Sequence, residues 1–419
     1  MSLTLLVSAL LVALNIGLIF LLLAAPVGVR TFRISKLIPV GRERLWSALW
    51  PLGDNADWSG EYIGAEPVEG DSGLARLKLR WESRDGSPIE RTVRLEDVVQ
   101  GRRFAMRVVD DSSLDPSFWS NYRETTDLAL RDDGVLVTLT RTDRYRGLAF
   151  LVFRYFALRR EMRKLKIWAE TGKYRSGGLF EHPASQVGFA VLSAFLLWPL
   201  FGLTPGGLVL AFVLTSVVAL HELGHMAAFR LMGHRRVRMI FLPLLGGIAI
   251  GGRPYDSRFE VAFVALMGAG FSAFLVPLAI ASSSYASAAG WSLAAMLLAA
   301  LAGCMALFNI ANLVPVWKFD GGQVLRQICP SPPLLALASF LLLGGFLAVA
   351  SWAGMQTWFI AAVGAVFAIL SLLTAGGGIK PRYELKPIGV FDRFAIGAAL
   401  LAVFAIHGFG LIWAVSKIA

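Results

Sequence analysis

Eight apolar runs, each of bilayer-spanning length or close to it, leave this chain few folds to choose from. They cover roughly 3–25, 187–203, 206–230, 258–281, 291–314, 333–350, 356–374 and 391–414. In hydrocarbon every backbone N–H and C=O must find its partner within the segment or a closed barrel, and runs of ~20 residues do so as α-helices. A composition of 56% hydrophobic and 16% charged residues fits that class and no ordinary soluble one. The charge is also segregated, since 27 of the 40 Lys/Arg and 22 of the 29 Asp/Glu lie between Arg30 and Arg175. One polar domain therefore follows the first span. That span has no basic leader, exceeds the apolar core of a signal peptide, and ends in Ala24-Ala25-Pro26, a poor cleavage site, so an uncleaved anchor is expected. The expected fold class is a multi-spanning α-helical membrane protein of about eight transmembrane helices with an inserted α+β soluble domain.

Basic residues set the expected orientation. Arg30, Arg33 and Lys36 follow span one; Arg235, Arg236 and Arg238 follow span three; Arg253 and Arg258 precede span four. Lys318 and Arg326 follow span five, and Lys380, Arg382, Lys386 and Arg393 precede span eight. With alternating spans these fall on one side, which the positive-inside rule makes cytoplasmic, whereas the connections near 204–205, 282–290 and 351–355 are uncharged. The net charge of +11 then reflects cytoplasmic loops and attraction to anionic lipid, with no motif for nucleic acid. Cys304 and Cys329 form no disulfide framework and match no metal-ligand spacing.

Within span three stands His221-Glu222-Leu223-Gly224-His225, an H-E-x-x-H pentad. Histidines at i and i+4 share one helical face, so both imidazoles can reach one Zn²⁺ at ~2.0–2.1 Å. Glu222 points elsewhere and is free to take a proton from a metal-activated water. The plainer alternative is a pair of histidines bonded to a neighbouring helix. Three ionisable groups in five membrane residues nevertheless indicate function, because such groups are costly there. His221 lies nine residues before Arg230, which places the pair ~14 Å inside the cytoplasmic end of the helix. Two imidazoles leave a tetrahedral site half filled. At the end of span five, Asn312-Leu-Val-Pro315-Val-Trp-Lys-Phe-Asp320-Gly321-Gly322 combines a helix stop at Pro315 with a turn that allows a carboxylate to fold back. Taken alone, that segment is equally a helix stop followed by a solvated turn.

The two motifs together resemble the site-2 protease family of intramembrane zinc metalloproteases: His221-Glu222-x-x-His225, then Asn312-x-x-Pro315-x-x-x-x-Asp320-Gly321. The resemblance covers about residues 187–325. It implies His221, His225 and Asp320 as ligands of Zn²⁺, Glu222 as the catalytic acid/base, and Asn312 as a polar group beside the site. It also implies hydrolysis of a peptide bond within or next to a transmembrane helix of a single-span membrane protein. Where many relatives carry a second proline and a leucine, this chain has Trp317 and Lys318. Pro243-Leu-Leu-Gly246-Gly247-Ile-Ala-Ile-Gly251-Gly252 suits a short hairpin or re-entrant loop whose edge could hold an unwound substrate, or else a plain linker. Gly268-Ala269-Gly270 suits close helix packing. Spans six to eight are peripheral in this layout, which divides the chain into an anchor (1–29), a cytoplasmic domain (30–175), a protease core (185–325) and C-terminal spans (326–419).

The polar domain shows a strand near Phe32–Val40, a helix over Arg42–Trp50, and period-two stretches at 75–81, 92–96, 104–109 and 135–140. A long helix over 147–171 closes it. That order resembles the helix-grip fold of the polyketide cyclase/START-like superfamily, supported by Leu45 and Trp46 in the early helix and by Trp58. The resemblance implies a cavity for an apolar ligand or lipid that could regulate cleavage. Arg154, Arg159, Arg160, Arg163, Lys164 and Lys166 in the last helix either meet anionic headgroups or form a solvated basic face. The expected location is a bacterial inner membrane, with the soluble domain and active-site opening on the cytoplasmic side. Competing functions are a catalytically silent membrane lipid-binding scaffold and a metal transporter; the inverted repeats usual in a transporter are not evident.

Overall fold

In a computed structural model of the chain, the described residues are 17, 20–22 and 24–418, apart from 55–57, 174–181, 202, 243–245, 317–318, 330, 353, 355, 359, 362–363 and 366–381. They fall into two compact units, one of residues 1–178 with 378–384 and one of residues 179–377 with 385–419.

The first unit is an antiparallel sheet with a long helix against it. Its strands are β1 (Pro26–Ile38), β2 (Tyr62–Val68), β3 (Asp71–Glu82), β4 (Pro88–Val99), β5 (Arg103–Asp111), β6 (Arg123–Arg131) and β7 (Gly134–Arg146). Helix α1 (Arg42–Leu49) follows β1, and α2 (Leu148–Thr171) follows β7. The seven-stranded sheet has the order β1-β7-β6-β5-β4-β3-β2, so β2 to β7 form a meander and β1 closes onto β7. Leu158, Met162, Leu165 and Ala169 recur at helical spacing along α2 and are buried with Ile38, Leu45, Trp46, Trp58, Phe104 and the alternating Val135, Val137 and Leu139 of β7.

Two strands escape the period-two pattern. β2 contains Gly64 and Pro67, which an edge strand tolerates, and β6 carries Glu124, Thr125, Thr126 and Asp127. The β7 alternation explains the polar character of β6. Arg141 is the next residue in the Val135–Leu139 series, and its register partner is Glu124. Its guanidinium binds Glu124 at 2.8 Å and Glu161 of α2 at 2.7 Å, while the Tyr122 hydroxyl donates to Glu124. Burial pushes the Glu161 carboxyl up to about 7 against the opposing pull of Arg141. This cluster supplies its own cation.

The second unit holds six helices long and apolar enough to cross a membrane: α3 (Pro183–Leu197, continued by a 3-10 turn to Phe201), α4 (Pro205–Leu231), α5 (Arg258–Ala288), α6 (Ser292–Leu313), α8 (Pro332–Trp352) and α9 (Val390–Ile418). They correspond to six of the eight expected spans. The runs 3–25 and 356–374 lie largely outside the described residues. Thr204 caps α4 by accepting the Gly207 amide at 3.0 Å, with Pro205 in the first turn where its missing N–H costs nothing. At the other critical terminus, α6 ends at Leu313 because Val314 before Pro315 is extended (ψ 143). A short amphipathic helix, α7 (Asp320–Ile328), then begins at the Asp-Gly-Gly turn.

Between α4 and α5 the chain forms the hairpin β8 (Arg238–Leu242) and β9 (Gly246–Ile250), paired from Arg238↔Ile250 to Leu242↔Gly246. The last span is not peripheral as expected. Ile396, Leu400 and Val403 of α9 join Ala262, Ala265, Leu266, Ala269 and Ala273 of α5 in one buried cluster, and His407 donates to the Ala269 carbonyl at 3.0 Å. Small residues on α5 allow this close approach.

Candidate metal centre

α4 presents His221 and His225 on one face, their rings edge to face with centroids 4.7 Å apart. α7 begins beside them with Asp320. The Nε2 atoms of His221 and His225 lie 3.1 Å apart, and Asp320 Oδ2 lies 3.0 Å and 3.5 Å from them. These three atoms form the one group among the described residues with metal-ligand composition and spacing.

The proton inventory explains why they converge. His225 Nδ1 is 2.7 Å from the Val264 carbonyl, which can only accept, so that nitrogen carries the proton. His221 Nδ1 is 2.8 Å from Asn309 Oδ1, and the Asn309 amide nitrogen donates to the Met305 carbonyl at 2.7 Å, which leaves the amide oxygen facing the ring. With Nδ1 turned to an acceptor in each ring, Nε2 is the nitrogen through which each imidazole could hold a metal. Both Nε2 atoms thus face the same buried oxygen of the Asp320 carboxylate. Two ring nitrogens and a carboxylate oxygen buried this close together need a positive charge among them, which a bound metal ion would supply. Tetrahedral ligands at ~2.0–2.1 Å from zinc stand ~3.3–3.4 Å apart, so the triangle observed fits one face of such a polyhedron. The residues present therefore fit a metal ion that takes nitrogen and oxygen ligands in a tetrahedral arrangement.

Room for the rings depends on Gly268 of α5. A Cβ there would lie 2.6 Å from Cε1 of both His221 and His225, so the expected close packing at this glycine is packing against the two imidazoles themselves. The hairpin bears on the remaining member of the pentad. Glu222 is buried, and its Oε2 accepts the Ala249 amide of β9 at 2.8 Å. A Cβ at Gly247 would overlap the Glu222 side chain. On the other strand, the Phe241 amide donates outward to Gln186 Oε1 at 2.5 Å. Amides of Phe241 and Ala249 that leave the hairpin in this way mark Phe241↔Gly247 and Met239↔Ala249 as the pairs not bonded across the ladder. The outer edge of β9, at Gly247 and Ala249, consequently faces Glu222.

Asn312 does not join this cluster through its amide, which donates back to Phe308 at 3.0 Å. Asn309, one turn earlier and fully buried, takes the polar position beside His221. Its signal in the sequence was a second asparagine in the same apolar helix. Trp317 and Lys318 lie outside the described residues, as does the Pro243–Leu245 part of the hairpin turn.

A second histidine–carboxylate cluster lies at the loop end of α4. His234 Nε2 is 2.7 Å from Glu260 Oε1, Arg253 reaches the same oxygen at 2.9 Å, and the Asp256 amide donates to Oε2 at 2.5 Å. Ser257 caps α5 by accepting the Glu260 amide at 3.1 Å, which fixes the glutamate over the cluster.

No family model and no curated protein matches the chain. Solved structures with similarity to it include the Aha1 dimer from Colwellia psychrerythraea, 14% identical, covering 34% of this chain and 98% of that one at a TM-score of 0.27. A START superfamily protein from Mycobacterium smegmatis is 10% identical over 35% of this chain and 99% of its own, at a TM-score of 0.27. The di-domain ARO/CYC StfQ from the steffimycin biosynthetic pathway is 12% identical over 34% and 52%, at a TM-score of 0.25.

Proposed function

We propose that this membrane protein is an intramembrane zinc metalloprotease that hydrolyses peptide bonds within or next to a transmembrane helix of a single-span substrate. The observation that carries the proposal is the triangle of His221 Nε2, His225 Nε2 and Asp320 Oδ2, with Glu222 next in the chain and held by the hairpin. His221, His225 and Asp320 would hold the metal. When bound, zinc supplies a Lewis acid for the scissile carbonyl and lowers the pKa of water. The Ala249 amide holds one Glu222 oxygen and fixes the carboxylate, whose other oxygen accepts a proton from the attacking water and returns it to the leaving amine.

A helical substrate hides its carbonyls in i→i−4 bonds and must be extended before attack. With the Ala249 amide committed to Glu222, the remaining backbone groups on the outer edge of β9, at Gly247 and the Ala249 carbonyl, are suited to hold such an extended segment by strand addition. The soluble unit would regulate cleavage through an apolar ligand or lipid. We assign the protein to a bacterial inner membrane, with that unit and the opening of the site on the cytoplasmic side.

The test compares wild type with Glu222→Gln and Asp320→Ala in reconstituted membranes, reading bound zinc and cleavage of candidate single-span proteins. Glu222→Gln is expected to keep zinc and lose cleavage, and Asp320→Ala to lose both. Unaltered cleavage in Glu222→Gln refutes the mechanism. Metal transport that survives Glu222→Gln assigns the site to a carrier instead.

A further inference from the structure

The side of α2 that turns away from the sheet changes character along its length. Leu158, Met162, Leu165 and Ala169 face the core, and at ~100° per residue Val152, Phe153 and Phe156 point to the opposite side, with Phe150 flanking them. These four side chains stand 50%, 48%, 51% and 48% exposed. From the next turn onward the same side carries exposed Arg159 and Arg163. A solvated helix places charged residues opposite its buried stripe, whereas the first turns of α2 are apolar on both sides.

Chain connectivity identifies what this face meets. The helical turn at 20–22 closes with the Ala24 and Ala25 amides both donating to the Phe20 carbonyl, at 2.8 and 2.9 Å, and β1 starts at Pro26. The Gly147 amide, immediately before α2, donates to the Ala25 carbonyl at 2.8 Å. α2 therefore begins against the end of the apolar run 3–25. Phe150 follows Gly147 by three residues, ~4.5 Å of helical rise. Cations gather at the same place: Arg144 and Arg146 are exposed at the end of β7, and the Arg154 guanidinium lies over the Phe150 ring, 5.4 Å from its centroid.

We propose that the first turns of α2 lie in the headgroup region of the bilayer that run 3–25 enters, and that the partner of this face is an anionic lipid surface. Val152, Phe153 and Phe156 insert among the upper acyl segments with Phe150 at their margin. Arg159 and Arg163 meet lipid phosphates. Aromatic side chains on one face with arginines at its border are the arrangement by which a helix lies in the membrane interface, and burial of that face fixes the soluble unit against the lipid independently of any catalytic activity.

The full-length protein in vesicles of phosphatidylethanolamine and phosphatidylglycerol tests this. A photoreactive p-benzoylphenylalanine at position 153 or 156 is expected to form lipid adducts about tenfold more often than at position 170 on the exposed last turn, as read by mass spectrometry. Adducts to a second copy or to helices of the same chain would overturn the proposal, as would lipid adducts at 153 no more frequent than at 170. Replacing Arg159→Glu with Arg163→Glu should reduce the adducts in these vesicles and leave them unchanged in phosphatidylcholine alone. An equal response in both lipids overturns the role given to anionic headgroups.

Discussion

Two buried histidine–carboxylate clusters share the membrane unit and differ in where their protons go. At His234 the acid partner, Glu260, receives the ring nitrogen at 2.7 Å, the Arg253 guanidinium at 2.9 Å and a backbone amide at 2.5 Å. The chain itself answers that negative charge. At His221 and His225 both Nδ1 atoms are committed outward, to Asn309 and Val264, and the two Nε2 atoms lie 3.0 and 3.5 Å from Asp320 Oδ2. Residue type and burial are alike in the two clusters. The difference is that one includes the Arg253 guanidinium as its cation, whereas the other brings two Nε2 atoms and a carboxylate oxygen together with no Lys or Arg among them, an arrangement that could hold a metal ion.

The largest effect expected from this contrast is on the open cluster. Asp320→Ala should lower bound zinc from about one ion per chain to near zero, measured by elemental analysis of the purified protein, because two imidazoles alone hold zinc weakly. Gly268→Ala should produce the same loss with every ligand still present. Its methyl would fall 2.6 Å from both imidazole rings, and the rings must move to admit it. Full zinc content in Gly268→Ala would show that the site tolerates a looser geometry than the triangle implies.

The closed cluster should respond in the other currency, stability. Glu260→Ala removes the carboxylate and leaves the Arg253 charge without its counter-ion, a change that costs roughly 3–5 kcal/mol when a buried pair is broken. Thermal unfolding in detergent micelles reads the loss, and zinc per folded chain should remain unchanged. A fall in zinc at unaltered stability would mean that the two clusters are one functional unit.

The pentad was legible because its chemistry is local. Spacing i, i+4 alone sets His221 and His225 on one face, and Pro315 with Asp320-Gly321-Gly322 announces the end of α6 and the turn that brings the carboxylate back. What local pattern cannot supply is the rotation of one helix against another. Asn309 and Asn312 are one turn apart on α6, and only the packing of α6 against α4 decides that Asn309 meets His221. The hold of Ala249 on Glu222 spans 27 positions and was hidden for the same reason, although the glycines of β9 indicated a hairpin. In the sheet-bearing unit the period-two strands were evident, but β6 was masked by Glu124, whose inward face is explained only by Arg141 and Glu161 from distant elements. Likewise, α9 looked like an appended span until its packing on α5 was visible.

Asn309 provides the finest test of the proton argument. Its amide oxygen accepts the Nδ1 proton of His221 and thereby leaves Nε2 as the nitrogen available to a metal beside Asp320. Asn309→Ala removes that acceptor without touching a ligand, and zinc affinity is expected to fall ~10–100-fold, which competitive titration with a chelator measures. Asn309→Asp restores an acceptor of nearly the same shape and should recover most of the loss, whereas a purely space-filling role would be rescued better by Asn309→Leu. Asn312→Ala is the matched control, since its amide is committed to Phe308. If affinity fell with Asn312→Ala and not with Asn309→Ala, the polar position beside the metal would belong to the downstream asparagine, and α6 would have to be rotated from the packing that makes His221 differ from His234.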